Sequence, residues 1–508
     1  MIDNYDYIIV GAGSAGCVLA DRLTENEQND VLLLEAGGPD DKEEIEVPMA
    51  FGHLLKTDFD WDYMSVPQQH LKGRQMYHPR GKVLGGSSSL NALIYFRGHP
   101  WDYDHWEELG NEGWAFDDML PYFKRAEDFA EGESEYRNVG GKIHIKKVSN
   151  TTGVSDCLSE AAQQVGYSWN DDLNAGDMEG IGQGQANIKD GKRHSTADAY
   201  LRPALSRDNL SAETYARVTS LRFDGERAVG VTFQQDGKKH QVDANKEVIL
   251  SAGAFGSPHL LLLSGVGHSA HLQQYDIDVT THLPGVGKNL QDHLMGVVTY
   301  ESAKPFELGP SEHMTQNILF DREDPDNPTP DLLMYMNSAL FMNHGFDNPE
   351  GKQGYTITFH MTYPESEGEI TLRSADPFDD PRIDFNYLSD DRDLDRLVWG
   401  LKRAREIGEA EPLDEYRGEE LWPGEDVQTD EEIIDYIREN VQTGYHPVGT
   451  CKMGTDEMAV VDNRLRVKGI DGLRVVDASV MPYISVANTQ GPIVGIAEKA
   501  ADMIKEDA

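Results

Sequence analysis

The first 35 residues constrain the fold most. Tyr7-Ile8-Ile9-Val10 is a short apolar run halted by Gly11-Ala12-Gly13-Ser14-Ala15-Gly16, and a helical pattern follows through Val18, Leu19 and Leu23. A second apolar run, Val31-Leu32-Leu33-Leu34, stops at Glu35, with Ala36 beside it. This is a strand–turn–helix–strand unit of about 30 residues. In the Gly-x-Gly-x-x-Gly turn, Gly11 permits the tight bend, Gly13 lets backbone approach a pyrophosphate, and Gly16 lets the helix lie close on the strand. The N–H groups around Ser14 and Ala15 and the helix dipole then hold phosphate. Glu35 follows Gly16 by nineteen residues, where an acid accepts the hydroxyls of an adenosine ribose and disfavours a 2′-phosphate. The motif does not separate FAD from NAD.

At 508 residues the chain exceeds the roughly 100–200 residues of one domain. Strand-like runs recur at 228–233 and 247–250, the latter entering Ala252-Gly253-Ala254 and a Leu-rich helix start. From about 301 the composition becomes acidic and Pro-rich, with strand-like runs at 332–335 and 356–360. A helix beginning near Ser389 places Leu394, Leu397, Val398, Leu401 and Ala404 on one stripe. Residues 409–440 read as a solvated acidic face, and from 444 Gly-punctuated apolar strands return before a helix over about 491–504. The expected fold class is α/β. A Rossmann-like domain is built from the discontinuous segments 1–150, 190–300 and 444–508, with an inserted α+β substrate domain, an antiparallel sheet plus helices, over 151–189 and 301–443.

The 89 Asp+Glu against 45 Lys+Arg, a formal charge of −44, exclude nucleic-acid binding through a basic face. Such an excess serves either an anionic surface hydrated in a salty interior or the attraction of a cation. The acids are spread along the whole chain, which favours salt adaptation and a requirement for molar salt. Cys17, Cys157 and Cys451 form no C-x-x-C pair, and Met1-Ile2-Asp3-Asn4-Tyr5-Asp6 lacks the basic start and apolar stretch of a secretory signal. No run approaches the roughly 18–20 apolar residues of a membrane span. A cytoplasmic protein without a structural metal is expected.

Five segments in one order are similar to the glucose–methanol–choline family of FAD-dependent oxidoreductases, and the resemblance covers essentially the whole chain. They are the glycine turn; residues 81–91 (Gly81-Lys82-Val83-Leu84-Gly85-Gly86-Ser87-Ser88-Ser89-Leu90-Asn91) with Tyr95-Phe96-Arg97-Gly98; residues 253–267; residues 285–293, ending Gln291-Asp292-His293; and the C-terminal pair His446-Pro447-Val448-Gly449-Thr450 and Asp477-Ala478 through Asn488-Thr489-Gln490-Gly491-Pro492. The resemblance implies FAD held by the glycine turn, Glu35, Ala36, Gly81, Gly85, Gly86, Ser87, Asn91, Val218, Ala252, Gly253, Asp477, Ala478, Asn488, Thr489 and Gln490. Small Gly and Ser residues let backbone pack flat on a planar ring. In the second signature the Leu run reads as core packing and only the Gly253-Ala254 turn approaches the cofactor. A covalently flavinylated branch carries histidine where this chain has Leu90, so FAD is expected to be non-covalent. Pro364-Glu365-Ser366-Glu367 departs from a motif that often has Arg at the position of Glu367.

By the same resemblance His446 and Asn488 are the catalytic pair. An alcohol hydroxyl is a weak acid, and hydride leaves its carbon more readily once the oxygen is anionic. His446 would take the proton and Asn488 would hold the developing alkoxide. The implied reaction is oxidation of a small alcohol, choline among the candidates, with an unassigned electron acceptor. A hydroxynitrile-type lyase, an oxidase using oxygen, and an NAD-linked enzyme or nucleotide-binding regulator remain alternatives. No G-x-S-x-G elbow, H-E-x-x-H pair or Cys/His cluster points to hydrolysis or metal catalysis.

Overall fold

A computed structural model of the chain describes residues 4–149, 151–309 and 312–508. Met1-Ile2-Asp3 and the expected boundary at residue 150 lie outside the described residues.

The first sheet forms around the strand Asn4–Val10, whose residues 7–10 are all buried. A strand covered on both faces has no polar alternation, which is why the run reads as continuously apolar. It pairs in parallel with Val31–Leu34, Ile8 opposite Leu32, and with the end of Lys238–Leu250, Ile8 opposite Val248. Leu210–Glu213 adds outside Val31–Leu34, and Leu473–Val475 pairs in parallel with residues 248–250. Arg227–Gln235 and Arg217–Asp224 extend the sheet as antiparallel strands. Neighbouring strands thus come from segments hundreds of residues apart. Helix Ser14–Leu23 lies close on the sheet because residue 16 has no side chain: a Cβ there would meet the Gly11 carbonyl oxygen at 1.9 Å.

The second sheet is wholly antiparallel, in the order Arg417–Trp422, Leu294–Ser302, Gly354–Met361, Leu332–Asn337, Thr315–Asp321, Gly180–Gln183. Helix Asp391–Gly408, capped by the Asp390 side chain, lays Leu394, Leu397 and Leu401 on Leu332, Met334, Ile357 and Phe359. Each such buried side chain contributes about 1.5–3 kcal/mol. The alternate residues Ile318, Phe320, Leu333 and Tyr335 turn the other way, onto Ile94, Phe96, Val486 and Ala487 of the first domain. Period-two alternation therefore exists here but is masked, since both faces are buried.

Two expectations need correction. Leu294–Ser302 belongs to the second sheet, so the boundary at 300 cuts a strand, and the pairing of Ile143–Lys147 with Gln185–Ala186 crosses the one at 150. Residues 409–440 are more than a solvated face: Arg417–Trp422 is a strand, and Asp430–Asn440 is a helix with a Thr429/Glu432 capping box that buries Ile433, Tyr436 and Ile437. The Glu420 carboxylate is buried because Arg405 bonds both its oxygens, at 2.6 and 3.1 Å. No helix among the described residues is long and apolar enough to cross a membrane.

Candidate active site

The carboxyl ends of four parallel strands open onto one cavity, the place where α/β sheets bind ligands. Asn4–Val10 runs into Gly11, Val31–Leu34 into Glu35, Lys238–Leu250 into Ser251, and Leu473–Val475 is followed by Asp477. Glu35 is buried and ties two turns together, Oε2 accepting from Ala12 N and Oε1 from Gly37 N, both at 2.8 Å. Burial pushes its carboxyl up to about 7 against those hydrogen bonds. Asp477 accepts from Gly253 N at 2.8 Å and Ser257 Oγ at 2.5 Å, pinning the 252–253 turn to the C-terminal segment.

Two loops far apart in sequence form one cradle. Gly85 N donates to Ala12 O at 2.8 Å, and a Cβ on Gly86 would meet Gly13 Cα at 2.7 Å. By contrast, a Cβ on Gly13 would find its nearest atom only at 4.0 Å, and one on Gly253 nothing within 4 Å. Those two glycines leave space that a side chain would fill, and both line the cavity. The residues present fit a bound dinucleotide.

Opposite the cradle the second sheet overhangs with Tyr335, Asn337, Thr358 and His360. His446 lies below, in a turn held from several sides. Its N–H donates to Asp292 Oδ1 at 2.7 Å, and the Thr443 and Tyr387 hydroxyls donate to Asp292 Oδ2, both at 2.6 Å. Tyr445 takes φ +70°, its N–H bonding Thr443 Oγ1 at 2.8 Å while Arg80 donates to its carbonyl at 2.6 Å. Left-handed backbone at a non-glycine persists only where surroundings over-determine it.

The hydrogen-bond chain sets the imidazole tautomers. His293 Nε2 lies 3.0 Å from Thr362 O, a pure acceptor, so Nε2 carries the proton and Nδ1 is a lone pair. His446 Nδ1, 2.9 Å away, must then be the donor, leaving the lone pair on His446 Nε2. That nitrogen lies 3.1 Å from Asn488 Nδ2, whose Oδ1 accepts from Tyr335 OH at 2.7 Å. Burial, then the neighbouring His293, His360 and Arg80, hold the His446 pKa well below 6.5, and burial lowers His293 to about 4. Among the described residues no group of three or more His, Cys, Asp and Glu is placed to hold a metal ion.

Of the residues singled out from sequence, Gly11, Gly13, Ser14, Ala15, Glu35, Ala36, Gly81, Gly86, Ser87, Asn91, Val218, Ala252, Gly253, His446, Asp477, Ala478, Asn488, Thr489 and Gln490 all line this cavity. Gly16 and Gly85 do not. The first is a packing contact on Gly11, and the second is a φ +84° turn residue whose Cβ would meet Ser89 Oγ at 2.2 Å. The 253–254 turn also does not act alone. Helix Gly253–Leu263 runs along the cavity edge, and helical spacing brings Gly256, His259, Leu260 and Leu263 to it. Sequence reasoning missed Tyr335 and His360. Asp292 and His293 stand out in the sequence only as the end of a signature segment, because Lys288, Asn289 and Gln291 beside them are equally polar.

A parallel sheet opening on a glycine cradle, with an imidazole–amide pair in the same cavity, defines a dinucleotide-dependent enzyme. Two family models, both described as GMC oxidoreductase, match residues 5–295 and 364–497. The chain belongs to that family and is an FAD-dependent oxidoreductase. It is 41% identical over 535 residues to the mitochondrial choline dehydrogenase of Mus musculus, spanning 99% of this chain and 90% of that protein. Identity to the oxygen-dependent choline dehydrogenase of Sinorhizobium fredii is 40% over 534 residues, 98% of this chain and 95% of that one. The crystal structure of pyridoxine 4-oxidase from Mesorbium loti superposes with a TM-score of 0.93 at 34% identity, covering 98% of this chain and 99% of that chain.

Proposed function

We propose that the protein oxidises the CH–OH group of a small primary alcohol to an aldehyde, with His446 as the general base. The observation that carries this reading is the His446 Nε2 lone pair in the FAD cavity, 3.1 Å from the Asn488 amide. FAD, when bound, supplies the two-electron acceptor. His446 Nε2 takes the hydroxyl proton, and the charge this creates on the ring is shared through Nδ1–H with His293 and, behind it, the Thr362 carbonyl. The Asn488 N–H groups hold the developing alkoxide, and Tyr335 fixes that amide by donating to its Oδ1. His446 is buried in the protein, where the lower local dielectric strengthens each of these interactions.

Choline leads the panel of candidate substrates because the choline dehydrogenases above act on it by name. Near His446, Met295, Met314 and Phe341 cluster with Phe51 and Tyr445, polarizable and aromatic surfaces that suit a methylated ammonium group. The carboxylates among the described lining residues, Glu35 and Asp477, lie at strand ends in the nucleotide fold. Recognition of a cation would therefore rest on aromatic faces rather than an ion pair. Leu90 lines the cavity next to Asn91 and offers no nucleophile, which supports FAD held without a covalent bond. With Cys17, Cys157 and Cys451 all unpaired, a reducing compartment belongs to the same proposal.

Anaerobic mixing with a panel of alcohols, at molar salt, is expected to bleach the flavin with choline or a related primary alcohol. No bleaching by any alcohol would refute the proposal, and recovery of colour with oxygen or only with an artificial acceptor separates oxidase from dehydrogenase.

The pH dependence follows from the environment of His446. Only neutral imidazole accepts the proton, and burial lowers the pKa, so the competent form persists to lower pH than for a free histidine. The acid limb of kcat/KM is expected below pH 6.5. A limb above that value, in a substrate with no titrating group, would contradict the assignment.

A further inference from the structure

Among the described residues Arg193 is a buried cation that makes no ion pair. In the strand Lys192–Arg193 the two basic residues alternate: Lys192 points out and pairs with Glu46 at 2.6 Å, while Arg193 points in and is 4% exposed. Its Nε donates to Ile45 O at 2.8 Å, and Nη1 to Ser88 O at 3.1 Å and Asn91 Oδ1 at 2.8 Å. Among the described residues Nη2 has no partner. The carboxylate that acts on it electrostatically, Asp198, is bonded to the Ser195 hydroxyl and to Arg202 instead. Burial lowers the guanidinium only to about 9, so the charge is present at neutral pH. An uncompensated buried charge is costly, and its retention calls for a compensating negative charge nearby.

The contacts of Arg193 lead to the cavity. Asn91 Oδ1 accepts from both Arg193 and Leu93 N, the latter at 3.0 Å, which fixes the amide flip and leaves Nδ2 facing Gln490, to whose Oε1 it donates at 2.6 Å. With Oε1 used as acceptor, the Gln490 N–H groups are left to donate. Asn91 and Gln490 both line the cavity, and each link polarises the next in the same sense.

We propose that Arg193 is a positioning residue for the flavin: through Asn91 it orients the Gln490 amide with N–H toward the ring and places positive charge behind both amides, favouring the reduced cofactor over the oxidised one. This rests on the reading that residues 86–91 and 488–490 flank the ring. In the reaction the alcohol C–H bond breaks with its electron pair passing to the flavin, the O–H proton goes to His446, and C=O forms. Bound FAD would gain one negative charge on taking up the hydride, and that charge is what Arg193 would compensate.

The test is the midpoint potential of the bound flavin, measured on holoenzyme by equilibrium reduction against a reference dye, for wild type, Arg193→Lys, Arg193→Gln and Arg193→Met. The Gln and Met variants are expected to lower the equilibrium constant for reduction at least tenfold, about 30 mV for a two-electron couple, while Lys stays closer to wild type than to Gln. A wild-type potential in the Gln or Met variant would overturn the inference, as would a Lys variant falling as far as Gln. Should the neutral variants accept no FAD even in excess, Arg193→Lys alone decides, and a tenfold or greater loss there overturns it. A wild type that takes up no flavin would instead sink the reading of the cavity itself.

Discussion

Replacing His446 by alanine is expected to lower turnover by on the order of 10²–10⁴ while flavin stays bound. The separation of the two effects follows from the geometry. What holds the turn is largely backbone: His446 N to Asp292, Tyr445 N to Thr443, and Arg80 to the Tyr445 carbonyl. None of these is lost when the imidazole is removed. What is lost is the lone pair at Nε2 and, with it, the route by which the ring charge is shared with His293. Steady-state turnover with a bleaching substrate, alongside the flavin spectrum, measures both quantities. Added imidazole should restore part of the rate by occupying the space vacated between Asn488 and His293. A flavin-loaded variant with undiminished turnover would remove His446 from the mechanism.

The second large effect is expected at Gly86. Its φ of +53° already disfavours a side chain, and the Cβ of alanine would meet Gly13 Cα at 2.7 Å. That neighbour is backbone inside the dinucleotide turn, which Gly85 N to Ala12 O also ties to this loop. Relief requires the two glycine loops to separate, at a cost of about 1–3 kcal/mol. Because both loops line the cavity, the cost falls on the ligand: Gly86→Ala should bind FAD roughly ten- to a hundredfold more weakly. Titration of deflavinated protein with FAD, followed by flavin fluorescence, reads the change. Gly52→Ala is the control, since a Cβ there meets nothing within 4 Å and no positive φ is involved. Equal affinity of Gly86→Ala and wild type would mean that the loops do not close on each other as described.

The two predictions differ in how much of each was legible beforehand. The glycine turn, Glu35 and the Gly/Ser loop could be read because each expresses a local demand: a tight bend, a strand end, a flat stretch of backbone. His446 was legible only by resemblance, since a histidine before proline has many structural uses. Tyr335 carried no signal, because its strand is apolar on both faces and nothing local distinguishes the residue facing the cavity from the one facing the helix Asp391–Gly408. Gly16 and Gly85 show the converse. They carry the motif's pattern, yet their missing side chains serve packing and turn geometry away from the cavity.

The sequence by itself determined the nucleotide fold, the presence of a second domain and the positions of the glycine turn, Glu35 and the Gly/Ser loop, because hydrophobic periodicity and glycine placement act over a few residues. Only the tertiary structure decided which nitrogen of His446 carries the lone pair that faces Asn488. That assignment passes from Thr362 through His293, a residue 153 positions from His446, to Asn488, 42 positions beyond it. It likewise decided that Gly13 abuts Gly86 and that Arg193 lies buried behind Asn91, bonded to its Oδ1. Proton position and electrostatic compensation depend on atoms within about 3 Å of each other, and residues so far apart in the chain reach that distance only when both sheets have closed over the cavity.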